Sequence, residues 1–76
     1  MRPDRPSKRS LTIRGHRTSV TLEEAFWTAL REVAQAEGVS VAALVAEVDS
    51  ARDPATNLAS AIRLRVLAHY RHSSGA

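Results

Sequence analysis

The sequence predicts a mainly α domain with a single N-terminal β-strand, at about residues 16–22, followed by helices at about 22–37, 40–51 and 57–71. Three observations carry that prediction. Val20 and Leu22 alternate as in a strand, and from Leu22 onward apolar residues recur at helical spacing. Two breaks, Glu37-Gly38-Val39-Ser40 and Asp53-Pro54, divide the helical part into three. Finally, the 76-residue chain has only nineteen large apolar side chains from Leu11 to Tyr70, and no cysteine. A chain this small, without disulfides or thiolate metal sites, is expected to complete its core with a partner chain. A symmetric dimer is the commonest form of such a partnership.

The first nine residues, Met1 to Arg9, contain two prolines and four Lys/Arg, and read as a flexible basic arm. The folded domain is expected over 10–72. Leu11 and Ile13 alternate, as do Val20 and Leu22, with Arg14-Gly15-His16 between them. Gly15 fits either a bulge in one long strand or the turn of a hairpin. The bulge is preferred, because no Asn-Gly or Asp-Gly marks a tight turn. Thr21 followed by Glu24 matches a capping box, with Thr21 as the N-cap of the first helix. Phe26, Ala29, Leu30, Val33 and Ala34 then share one face, and Trp27 widens it.

Gly38 suits a left-handed helix end, and Ser40 can cap the second helix. Val41, Leu44, Val45 and Val48 form the apolar face of that helix. Leu58, Ala61, Ile62, Val66 and Tyr70 do the same for the third. Residues 73–76 read as a disordered tail.

Charge is unevenly distributed. Residues 1–17 hold six Arg/Lys and one Asp, an excess of +5, while 18–76 hold five Arg/Lys and seven Asp/Glu, a net of −2. A basic segment ahead of a mildly acidic body points to an anionic partner, nucleic acid before a membrane surface. No run of 18 apolar residues and no signal-peptide core are present, so a soluble, cytoplasmic protein is expected, with no membrane role.

A lone strand must satisfy its backbone donors and acceptors somewhere. Unless an internal hairpin forms, strand 17–22 pairs antiparallel with its copy in a second chain. Alternation then turns Thr18, Val20 and Leu22 toward the helices and leaves Arg17, Ser19 and Thr21 on the open face. A two-stranded ribbon fits the major groove of DNA, where Arg17 can take two acceptors of a guanine and the hydroxyls can meet base edges.

The strand, "VTLEEAF", "EGVS" and the Val/Leu-rich second helix together resemble the bacterial ribbon-helix-helix DNA-binding proteins of the Arc and MetJ type. Within that family, residues 8–71 resemble a compact proteobacterial branch, through "GHRTSVTLEEAFW" and the helix "NLASAIRL…HYR". Arg65 departs from that branch, standing where a bulky apolar residue is expected. The resemblance implies an intertwined homodimer with an intermolecular antiparallel β-ribbon and a third, C-terminal helix. Its core would comprise Val20, Leu22, Phe26, Leu30, Val41, Leu44, Val45 and Val48. It also implies that Arg17, Ser19 and Thr21 read bases, and that Ser40 with the amides of Val41 and Ala42 holds a phosphate. The last assignment agrees with the general physics of helix N-termini. Thr21 is thus wanted both as reader and as helix cap. Arg2, Arg5, Lys8, Arg9, Arg14 and His16 are further candidates for phosphate contact.

Other chemistry is sparse. His69 and His72 lie three apart but lack a third metal ligand nearby, and suit a helix C-terminus. No catalytic triad, Gly-rich phosphate loop or paired-carboxylate cleft can be assembled, so neither enzymatic activity nor a cofactor is expected. The expected function is that of a homodimeric, sequence-selective regulator binding double-stranded DNA. Two alternatives use the same fold. One is a protein-interaction module acting through the C-terminal helix. The other is an antitoxin, which the ordered third helix and short tail disfavour.

Overall fold

The computed structural model describes residues 5–74. Two strands, β1 (Pro6–Ile13) and β2 (His16–Glu23), are followed by helices α1 (Glu24–Glu37), α2 (Val41–Ala51) and α3 (Leu58–Ser74). The strands pair antiparallel with each other, in a register running from Pro6 opposite Glu23 to Ile13 opposite His16. The hairpin, not the bulge, is therefore what Gly15 serves. Arg14 and Gly15 both take positive φ, 51° and 81°. Two successive left-handed residues make a tight turn whose twist matches that of the strands. Glycine accepts that conformation freely, whereas an arginine does so at a cost of about 1 kcal/mol. The Arg14 side chain is held across the turn by Asp49 and Ser50 of α2, which offsets this cost.

Two further expectations are corrected. The arm expected over 1–9 gives way to strand from Pro6 onward; Arg2 lies outside the described residues. Pro6 is the first residue of its strand, a place where a missing N–H is tolerated. The capping box at Thr21 does not form either. Pairing with β1 keeps the backbone extended through Glu23, which becomes the N-cap of α1 without a side-chain capping bond.

The remaining boundaries follow local chemistry. Gly38 ends α1 at φ 72°, its amide donating to the Gln35 carbonyl at 3.1 Å while the Val39 amide donates to Ala34 at 3.0 Å. Ser40 caps α2, its Oγ accepting from the Ala43 amide at 3.0 Å. After α2, the Arg52 guanidinium donates to Asp49 and to the Thr56 carbonyl. Asn57 caps α3, with its Oδ1 accepting from the Ser60 amide at 2.8 Å. That helix continues through Ser73 and Ser74, where a tail was expected.

The core lies between one face of the hairpin and all three helices. Leu22, Leu30, Val33, Leu44, Val45 and Ile62 are fully buried. Of the residues expected to form a dimer core, Val20, Leu22, Leu30, Leu44, Val45 and Val48 are buried within one chain, and Phe26 and Val41 are partly buried. Strand 17–22 likewise finds its partner in β1, so pairing by itself does not call for a second copy. Arg65, the departure from the apolar pattern, sits half-buried at the edge of α3, ion-paired with Glu37.

Candidate nucleic-acid interface

Alternation gives the hairpin two unlike faces. Leu11, Ile13, Thr18, Val20 and Leu22 are buried or half-buried against the helices. Lys8, Ser10, Thr12, Arg17, Ser19 and Thr21 are exposed on the opposite face. The register sets Lys8 opposite Thr21, Ser10 opposite Ser19, and Thr12 opposite Arg17. The open face is thus four hydroxyls bracketed by a cation at each end. From Lys8 to the Thr12–Arg17 pair is four residues, about 13 Å of strand. Among the described residues neither Lys8 nor Arg17 has an ion-pair partner.

The structure brings Arg17, Ser19 and Thr21 to one surface, as alternation predicts. Thr21 is relieved of its second role, because Glu23 occupies the cap position. Sequence reasoning did not place Ser10 and Thr12 on this surface, nor Lys8 as their neighbour. The signal was present: Leu11 and Ile13 face inward, so the residues between and before them face outward.

The other candidates lie elsewhere. Arg9 is on the covered side of β1, with its guanidinium carbon 4.9 Å from the Trp27 ring centroid and Nη2 at 2.9 Å from Glu24 Oε1. Arg14 sits at the turn, engaged by Asp49 and Ser50. His16 is exposed at the start of β2. Because the turn meets the C-terminal end of α2, Ser40 stands at the far end of that helix, about 14 Å along its axis. Its hydroxyl already accepts from Ala43. The amides of Val41 and Ala42 belong to the first helical turn, whose N–H groups have no intrahelical acceptor.

The strand-to-helix junction is braced from α3. Arg63 donates from Nε to Glu23 Oε1 at 3.0 Å and from a terminal nitrogen to Oε2 at 3.1 Å, and lies 5.7 Å from the Phe26 ring centroid. The Glu23 backbone amide and this guanidinium hold the Glu23 carboxyl below its ordinary range. The Asp49 carboxyl is also lowered, first by its bond with Arg52 and then by both arginines' charge. On the outer side of α1, Tyr70 donates to Glu32, and that bond raises the phenol. Trp27 ties the hairpin to α1, its Nε1 donating to the Ser7 carbonyl at 2.8 Å.

Such a face is suited to a groove. Two strands side by side are narrower than the roughly 12 Å major groove of B-DNA. The hydroxyls can donate or accept, an exposed arginine can grip a guanine in bidentate fashion, and the lysine can meet a phosphate. Among the described residues, no three His, Cys, Asp or Glu side chains converge as a metal site. No described helix is long and apolar enough to cross a membrane.

No curated protein and no solved structure matches the chain significantly. A family model described as a ribbon-helix-helix domain matches residues 6–70, which takes in both strands and nearly all of the three helices. Domains of this kind are typically non-enzymatic. The chain therefore belongs to the ribbon-helix-helix family, whose members are generally DNA-binding transcription regulators or antitoxins.

Proposed function

We propose that this chain is a sequence-selective double-stranded DNA-binding regulator that lays the open face of its hairpin in the major groove. The observation that carries this reading is the face itself. Its four hydroxyls and two cations, neither ion-paired among the described residues, lie on one side of a two-stranded ribbon whose other side is anchored to a buried core. Arg17 is the strongest base reader, joined by Ser19 and Thr21. Lys8, His16 and the first-turn amides of α2, behind Ser40, are the phosphate contacts. Arg9 and Arg14 join them only by giving up their ion pairs with Glu24 and Asp49. Family membership supports action as a homodimer, with two copies on neighbouring half-sites. A bacterial, cytoplasmic setting accords with the same family.

The test is selection from a randomised duplex library at near-physiological salt, run beside Arg17→Ala. A motif enriched by the unaltered chain and lost by the variant is the expected result. Equal, salt-sensitive retention by both proteins, with no motif, would reduce the reading to nonspecific charge. One observation favours a second reading, an interaction module using α3. Leu64 and Leu67 are 60% and 50% exposed on that helix. Under this second reading the library enriches nothing, and Arg17→Ala is without consequence.

A further inference from the structure

The outward side of α3 is not built like an ordinary solvated helix face. Ser60, Leu64, Leu67 and Arg71 recur at spacings of four, three and four residues, the repeat of a helix-pairing seam. Leu64, Leu67 and Arg71 are exposed, and Ser60 is half-buried. We propose that this seam is a self-complementary docking surface for a second copy of the chain. The two α3 helices lie antiparallel, and Arg71 of each enters the cleft between α2 and α3 of the other.

The cleft gives the seam its polarity. It has a volume of about 380 Å³ and is lined by buried Val48 and Ala61 and by exposed Leu64. Four charged side chains also line it. Arg52 and Arg65 are already committed, to Asp49 and Glu37. Glu47 and Asp53 have no ion-pair partner among the described residues. The nearby C-terminal end of α2 adds further negative potential. An apolar lining with two uncommitted carboxylates fits a cation on a long aliphatic stem, which describes an arginine side chain.

The seam supplies that cation at its other end. Arg71 is exposed and has no ion-pair partner among the described residues, whereas Arg63 is held by Glu23. A two-fold axis midway between Leu64 and Leu67 lays Leu64 of one copy on Leu67 of the other. Arg71 is then about 8 Å from the axis along the helix, and Ala61 about 7 Å on the opposite side. The axis therefore brings each Arg71 to the mouth of the other copy's cleft, and both ends of the contact close together. Parallel alignment would instead set Arg71 against Arg71 and leave the carboxylates without a cation.

Because the helices pack against the covered face of the hairpin, this contact uses neither its open face nor its strands. It adds to any pairing that the ribbon makes, and it does not rest on the DNA reading.

Sedimentation velocity on the full chain without DNA, from micromolar to millimolar concentration, tests it. The mass of the assembly should fall by half or more when Leu64→Gln and Leu67→Gln are combined. Both side chains are exposed in one chain, so circular dichroism should keep its helical signal. Arg71→Glu and Glu47→Arg should each weaken association roughly tenfold by setting like charges together, and the two changes in one chain should restore it. A parent of single-chain mass throughout would overturn the inference, as would a double exchange weaker than either single change. An assembly indifferent to all of these variants is joined elsewhere, through the hairpin among other routes, and that outcome too would overturn it. The library selection is read separately, so each of these failures leaves the proposed function standing.

Discussion

The basic residues of the hairpin fall into two groups that sequence alone treats alike, and salt dependence separates them. Lys8 is exposed on the open face without an ion-pair partner among the described residues, whereas Arg9, its neighbour in sequence, is held by Glu24 at 2.9 Å and by the Trp27 ring. The Arg9–Glu24 pair is neutral as a unit and faces away from the open face of the hairpin, so under the proposed DNA reading it displaces no counterion. Each cation that does neutralise a phosphate contributes about −0.9 to the slope of log affinity against log salt. Between 50 and 200 mM salt that amounts to a roughly 3.5-fold loss of affinity per contact. Lys8→Gln should therefore flatten the slope by about 0.9 per chain. The double change Arg9→Gln with Glu24→Gln, which leaves the net charge unaltered, should not move it. Fluorescence anisotropy on a labelled duplex across that salt range reads both slopes. If the double variant flattened the slope as much as Lys8→Gln, the assignment of Arg9 to the covered face would be refuted.

Three further outcomes test the fold beneath the site. Trp27→Phe removes the donor to the Ser7 carbonyl and part of a buried ring, and should cost about 2 kcal/mol. In a domain of this size that lowers the melting temperature by roughly 8–16 °C, followed by circular dichroism; a shift of under 3 °C would mean that the hairpin is not anchored through Trp27. Gly15→Ala meets no neighbouring atom within 4 Å, so its cost is conformational, about 1 kcal/mol from the positive φ of 81°. Urea melts giving no loss would show that the turn is built differently. Acid titration addresses the Glu23–Arg63 brace. Because the folded carboxyl is lowered, the native state binds fewer protons than the unfolded chain as pH falls through the carboxylate range. The stabilisation is present above the ordinary value of 4.5 and lost as pH drops through the lowered one. Glu23→Gln should thus be less stable than the parent at neutral pH, and the gap should close in acid; a gap that widened in acid would contradict the brace.

The helical half of the chain was legible because its signals are local. Gly38, Ser40 and Asp53-Pro54 act within a turn or two of where they stand, and the apolar spacing of α1 and α2 names the buried residues directly. The hairpin was obscured at one position. Its turn needs two residues at positive φ, and the first of them is Arg14, a residue type that gives no warning of that conformation. What makes it tolerable, Asp49 with Ser50, lies some 35 residues away. The misplaced N-cap follows from the same omission, since only pairing with β1 carries the strand on to Glu23. At the candidate site, alternation was enough to place Arg17, Ser19 and Thr21 on the open face. Ser10 and Thr12 needed knowledge of the pairing, and Lys8 stood in a stretch whose prolines and charge imitate a tail.

A hairpin closed within one chain also changes how its open face can vary over evolutionary time. Where two copies contribute the same strand, every inherited substitution is written twice, and the two ends of the ribbon drift together. Here Thr12 and Thr21 occupy opposite ends and are encoded separately. Each position on the face can be revised once, alone, while the rest of the face and the core beneath it stay as they were.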